Sequence, residues 1–241
     1  MRVRVVAPIV AAVLGIGGGV ATALVVPDDD GGKPSTFSDP LHLGRPLVDL
    51  DCTGEAILIV GYGAGASSLG AAVANNGASV RYLRTDDSCP TLLGPEDVAG
   101  EADEEPPAYV AYLGPYETRT EPCALRMTAE HRGDFVSVLK SGNTQNVKCV
   151  CELSAKSAPE LRPGMEADAD DQVWIRALQW MFVDSRPDEF SRSDVTHVYD
   201  PATEAMVTGF QERAGLAGER GVVDAATWQL LTDRICGIYD Y

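Results

Sequence analysis

The residues whose types and spacing come nearest to a chemical site are Gly61-Tyr-Gly63-Ala-Gly65-Ala66, set between the apolar run 56–60 and a stretch of helical composition. Close glycines in that context let the amides of a helix N-terminus approach a pyrophosphate, and Asp86 stands about 25 residues on, at the end of the next predicted strand. The chain beyond it offers one hairpin unit and not a series of parallel crossovers, so the motif is read as a Gly-rich strand-to-helix turn, with a dinucleotide-using enzyme as a third reading of the chain. Cys149-Val-Cys151 is the closest pair of metal-type ligands, but no second close Cys or His pair completes a set of four. His42, His131 and His197 are isolated from one another and from any nucleophile motif. The carboxylates of 96–105 lack the alternating spacing and Gly turn of a calcium loop. The expectation is a protein that binds and does not catalyse, with no cofactor and no metal.

All six cysteines (Cys52, Cys89, Cys123, Cys149, Cys151, Cys236) lie beyond residue 50, an even set that in an oxidising compartment predicts up to three disulfides, with 15 pairings open. The N-terminus agrees with export. Residues 5–26 carry no charge over 22 positions, with Arg2 and Arg4 before them and Asp28, Asp29 and Asp30 after. That length spans a bilayer core as a helix, and the basic flank predicts a cytoplasmic N-terminus. The segment is read as a single-pass anchor in the cytoplasmic membrane, or as a signal sequence of a secreted protein if it is cleaved after Ala23 in Ala21-Thr22-Ala23. The formal net charge of −17 is spread along the 241 residues and gives no grip on phosphate, which excludes nucleic acid as a charge-driven partner.

Residues 27–51, rich in Pro, Gly, Asp and Ser, have neither helical nor strand period and predict a flexible tether. From there, strand (56–60), helix (67–76) and strand (79–83) precede the loop 86–107, which holds eight acids, four prolines and no basic residue. A strand (108–113), a helix (121–131) and a closing strand (135–140) complete the order β-α-β-β-α-β, which predicts a ferredoxin-like antiparallel sheet with both helices on one face. A second block begins near residue 161. Ile175, Leu178 and Phe182 form a helical stripe; Asp200-Pro201 caps a second helix that Gly215 ends; Asp224 caps a third that carries Trp228, Leu231 and Ile235. The fold class expected is therefore α+β: a transmembrane helix or signal over 1–26, a tether over 27–51, a βαββαβ domain over 52–153 and a small three-helix domain over 161–241.

The second block resembles a peptidoglycan-binding domain of the three-helix cell-wall type. The matching residues are Leu178-Gln179, Val198-Tyr199-Asp200-Pro-Ala-Thr203, Phe210-Gln211 with Gly215-Leu216, and Gly221-Val-Val-Asp224-Ala-Ala-Thr227-Trp228 with Leu231. The resemblance implies a core of Leu178, Val207, Phe210, Trp228 and Leu231, and assigns muropeptide recognition to Arg176, Gln179, Tyr199, Gln211 and Arg213, whose polar groups suit stem-peptide carboxylates. Asp194-Val195 stands where many members have Asp-Gly, so the loop bordering the groove departs from the family pattern.

The first block, by its element order, Val60-Gly61-Tyr62 and Tyr112-Leu113-Gly114-Pro115-Tyr116, resembles a sporulation-related repeat (SPOR) domain, whose members bind septal glycan strands. That implies a glycan face containing Ile59 and Tyr112. Strand alternation places Ile57, Ile59, Val110 and Tyr112 on this face, an apolar set that suits a cover by 149–153 or by the other domain. The sheet order of such a fold also implies that Cys52 bonds Cys149 or Cys151, that the other of these bonds Cys236, and that Cys89 is left for Cys123. With the N-terminal segment read as an anchor, the resemblances imply a membrane-anchored, extracytoplasmic bacterial protein that binds peptidoglycan. The second reading is a scaffold that docks a division or wall-synthesis protein on the apolar sheet face.

Overall fold

The computed structural model describes residues 37–89, 108–141 and 147–236. Residues from Phe37 on pack as one compact unit. The expected membrane-spanning helix and the single-pass location derived from it are corrected here. Among the described residues no helix is long and apolar enough to cross a membrane, and residues 5–26 lie outside them.

The fold is α+β. Strands β1 (Ala56–Gly63), β2 (Arg81–Arg84), β3 (Tyr109–Tyr116) and β4 (Phe135–Val138) form a sheet of order β2-β3-β1-β4 in which every neighbouring pair is antiparallel. Helix α1 (Ala66–Asn75) follows β1, and α2 (Thr120–Arg126) follows β3. Helix α2 is shorter than its pattern predicted because its exit is drawn away from the helix: Thr128 donates its hydroxyl back to the Leu125 carbonyl at 2.7 Å, and the next amide, Ala129, donates to Asp170 at 2.6 Å. A one-turn helix, α3 (Cys149–Glu152), then leads to α4 (Ala169–Ser185), α5 (Pro201–Ala214) and α6 (Ala225–Ile235). Each of these three helices starts at an aspartate whose carboxylate accepts from first-turn amides: Asp168 from Asp170 and Asp171, Asp200 from Thr203, and Asp224 from Thr227. Helix α5 ends at Gly215 in the left-handed conformation, φ 65°.

Strand alternation sends Leu58, Ala111 and Val136 into one core and Ile57, Ile59, Val110, Tyr112 and Phe135 into another, on the opposite sheet face. The first core is continuous with the interior of the α4–α6 bundle, where Trp174 and Trp228 meet edge to face at 5.6 Å. The second core is closed by the stretch read as a tether. From Phe37 onward that stretch is ordered: Asp39 accepts from the amides of Leu43 and Gly44 and from the Tyr82 hydroxyl, and Leu47 pairs in parallel with Tyr82 at the β2 edge. The chain then crosses beneath the sheet. Tyr112 donates its hydroxyl to the Val48 carbonyl, Leu50 packs on the apolar face, and Gly54 donates to Leu139 just past β4, on the far edge. Burial pushes the Tyr112 hydroxyl up to about 12.

This crossing decides the disulfides, which are Cys52–Cys89, Cys123–Cys149 and Cys151–Cys236. The expected links from Cys52 to Cys149 or Cys151 and from Cys89 to Cys123 are therefore corrected. Because residues 47–50 run beside β2, Cys52 meets the residue that follows β2, with Cys89 donating its amide to Leu50 at 2.6 Å. Cys123 lies on α2, against which α3 packs, so its partner is Cys149. The Cys236 link to one of the two neighbouring cysteines is as expected, the member being Cys151. With Cys149 tied to α2 and Cys151 to the end of α6, α3 staples the sheet block to the bundle.

Removing the link that closes 85 residues, by Cys151→Ser with Cys236→Ser, is expected to lower stability by about 2–4 kcal/mol, read from urea midpoints. A second expectation concerns acid. Burial raises the Asp200 carboxyl, but hydrogen bonds from Thr203, Thr196 and Ala202 outweigh it and hold the group below its ordinary 3.8. A depressed folded value stabilises the fold above 3.8 and loses that contribution as the pH falls through the folded value. Asp200→Ala is expected to cost about 1 kcal/mol at pH 7, with the gap to the natural chain narrowing below pH 3.8 in acid titrations of stability.

Candidate functional site

Helix α4 presents Gln179 inward, fully buried, and the loop after α4 wraps around its amide. The Nε2 group donates to Thr196 Oγ1, the Val198 carbonyl and Thr203 Oγ1 at 3.0, 3.1 and 2.8 Å, while Oε1 accepts from the His197 amide at 2.9 Å. The same device recurs one helix later. Gln211, 2 % exposed, donates Nε2 to the Val222 carbonyl and Thr227 Oγ1 at 2.7 and 3.2 Å and accepts from the Gly221 amide at 3.0 Å. In each case the threonine also bonds the capping aspartate, Asp200 or Asp224, so glutamine, loop, aspartate and threonine form one closed network. Tyr199 joins the two networks by donating its hydroxyl to the Gly221 carbonyl at 2.5 Å, and burial raises its pKa.

Of the five residues expected to contact a ligand, Gln179, Tyr199 and Gln211 are thus turned into the fold, their polar groups engaged with backbone and hydroxyls. Arg213 is exposed on α5, its guanidinium folded over Gly209. Arg176, half-buried on α4, donates Nη1 to the Arg132 carbonyl at 3.4 Å. Around it the structure gathers positive charge that sequence reasoning missed, because the contributors come from distant segments. Burial, then the charges of Arg176 and Arg132, hold His197 below its ordinary value. Burial, then Arg176, brings Arg126 down to about 10 against the opposing pull of Asp134, and Arg126 Nη1 is buried without a hydrogen-bond partner. His197 adopts a left-handed backbone, φ 63°, and next to it Val198 is 58 % exposed.

The SPOR-like glycan face is closed: Ile59 and Tyr112 are completely buried under the crossing segment, and the same cover occupies the apolar surface expected to dock a protein partner. A shallow cleft of about 620 Å³ opens elsewhere on that block, lined by Tyr62, Ser68, Asn75, Asn76, Glu130 and Asp134. The glycine motif of β1 has a packing role. A Cβ on Gly61 would lie 2.6 Å from Ala72 Cβ and one on Gly63 2.2 Å from Ser68 Cβ, so both glycines let α1 sit close on the strand. Asp86, the acid a ribose would need, pairs with Arg84 at 2.6 Å. His131 pairs with Asp134 at 2.7 Å, and among the described residues no group of His, Cys, Asp and Glu is placed to hold a metal.

Replacing the buried amide tests its role. Gln179→Leu leaves the His197 amide without its acceptor and undoes the tie between α4 and the loop after it, and an expected loss of about 2–4 kcal/mol would be read from thermal or urea unfolding. An unchanged midpoint would remove Gln179 from the framework assigned to it.

Comparison with known proteins is informative in one region. No curated protein and no solved structure matches the chain. Residues 175–231, which run from α4 through both glutamine networks into α6, match the model of the family described as "Putative peptidoglycan binding domain".

Proposed function

We propose that the chain binds bacterial peptidoglycan without transforming it, through the helical block that begins near residue 161. The observation that carries this reading is the coincidence of the family match at 175–231 with a bundle whose two interhelical loops are held by buried glutamines. Loops fixed in this way keep their outward groups in one arrangement, so a ligand does not have to order them on binding. Arg176 and Arg213, which reach the surface from α4 and α5, supply charge-assisted donors for the carboxylates of stem peptides. The sheet block, SPOR-like in its element order, serves as a frame. Its covered face argues against glycan binding through Ile59 and Tyr112, and against docking of a division or wall-synthesis protein there. The net charge of −17 argues for shaped contacts, since much of a bacterial envelope is itself anionic.

Purified sacculi incubated with the full chain and pelleted are expected to carry the protein down at physiological salt, with retention persisting at raised salt because the contacts are not mainly long-range charge. Protein left wholly in the supernatant at every salt concentration would sink the reading.

A further inference from the structure

Two arginines and a histidine come together where the segment between α2 and β4 meets the loop between α4 and α5. Arg176 and Gln179 are three residues apart on α4 and so share a face of the helix. Gln179 holds the His197 backbone through the 2.9 Å bond to its amide, and Arg176 reaches the Arg132 carbonyl at 3.4 Å. Arg132 is exposed, Arg176 is half-buried, and His197 is exposed on a loop fixed from beneath. Arg126 stands behind them with a buried, unpartnered Nη1.

Such an arrangement is unexpected for this chain. Acidic residues outnumber basic ones 36 to 19, so a random arrangement would surround each arginine with carboxylates. Yet among the described residues neither Arg126, Arg132 nor Arg176 is in an ion pair. Asp134, whose charge reaches Arg126, is itself hydrogen-bonded to His131 at 2.7 Å. With Asp134 opposing the shift at Arg126, burial first and then repulsion by the neighbouring arginines lower Arg126 and hold His197 toward its neutral form. An anion placed among them relieves that repulsion, and a carboxylate fits the planar donor fork of arginine. The exposed Val198 beside His197 offers the small apolar contact that a peptide methyl group would use.

We infer that Arg132, Arg176 and His197 form a subsite for a free carboxylate of a wall stem peptide, built jointly by the sheet block and the helical bundle. This rests on the peptidoglycan reading above and adds to it a residue, Arg132, that lies outside the region matched by the family. It also explains why the two blocks are stapled: a site shared across a seam holds its geometry only if the seam is fixed, and Cys123–Cys149 with Cys151–Cys236 fix it through α3.

The test is calorimetric titration of the full chain with a soluble disaccharide-tetrapeptide bearing free carboxylates, and with the same muropeptide amidated at those groups. The free form is expected to bind at least roughly tenfold more tightly than the amidated one, and Arg132→Gln combined with Arg176→Gln is expected to abolish that preference, whereas Arg220→Gln keeps it. The amidated ligand leaves the protein untouched, so the comparison does not depend on the variant's stability, and Arg132→Gln alone changes an exposed side chain. Equal affinity for the free and amidated muropeptides, with sacculus binding intact, would overturn the subsite and leave the peptidoglycan reading standing. Displacement of the muropeptide by an equal concentration of inorganic phosphate would overturn the carboxylate assignment in favour of a phosphate-bearing wall polymer. Failure to bind either muropeptide or sacculi would overturn both readings.

Discussion

Two loops of the helical bundle turn backbone N–H and C=O groups toward the interior, and the arrangement of both loops depends on satisfying them. An unpaired buried amide or carbonyl costs more than a made bond returns, so the requirement is nearly absolute. The chain meets it twice with the same side chain. Gln179 and Gln211 each offer donors and an acceptor from one planar group, and each closes onto a threonine that also bonds a helix-capping aspartate. Cap, loop and preceding helix therefore fold as one cooperative unit, and Tyr199 ties the first unit to the second. The outward side chains of these loops, His197 and Val198 among them, take their positions from this interior network and not from contacts of their own.

A comparable constraint shapes the sheet block. A four-stranded sheet with helices on one side leaves its other apolar face to water unless something covers it. Here the cover is the stretch before β1, which leaves the β2 edge, passes under Tyr112 and Ile59, and is pinned by Cys52–Cys89. Covering that face takes it away from partners. The seam with the bundle is held by a shared core, by Lys148 paired with Asp184, and by the two disulfides of α3. The two blocks thus pack as one compact unit.

Charge has a similar division of labour. The overall excess of acid repels phosphate-rich surfaces and governs approach at long range. Binding at short range is decided by which few groups stand together, and at the seam Arg132 and Arg176 stand outside any ion pair among the described residues. A wall fragment carrying carboxylates would meet an unfavourable distant field and a favourable near one, which suits selective capture of a shaped ligand better than general adhesion.

Much of this was legible in the linear chain. Periodicity and turn residues announced the β-α-β-β-α-β order and the three amphipathic helices, because both depend on neighbours within a few positions. Asp200, Asp224 and Gly215 declared helix ends for the same reason, and the motif around Gln179, Asp200, Thr203, Gln211 and Trp228 identified the bundle. The polar residues of that motif were the misleading part, since a buried glutamine and a ligand-binding one look alike until the hydrogen bonds are drawn. Disulfide pairing depended on where the chain before β1 travels, which no local pattern encodes. The grouping of Arg132, Arg176 and His197 was equally hidden, because it joins segments dozens of residues apart. The sequence by itself determined the elements, their caps and the motif by which the bundle resembles a peptidoglycan-binding domain, all set by local backbone chemistry and side-chain period. Only the tertiary structure decided which polar groups of the motif are buried, which face of the sheet is closed and which arginines stand together, because those depend on packing between distant parts of the chain.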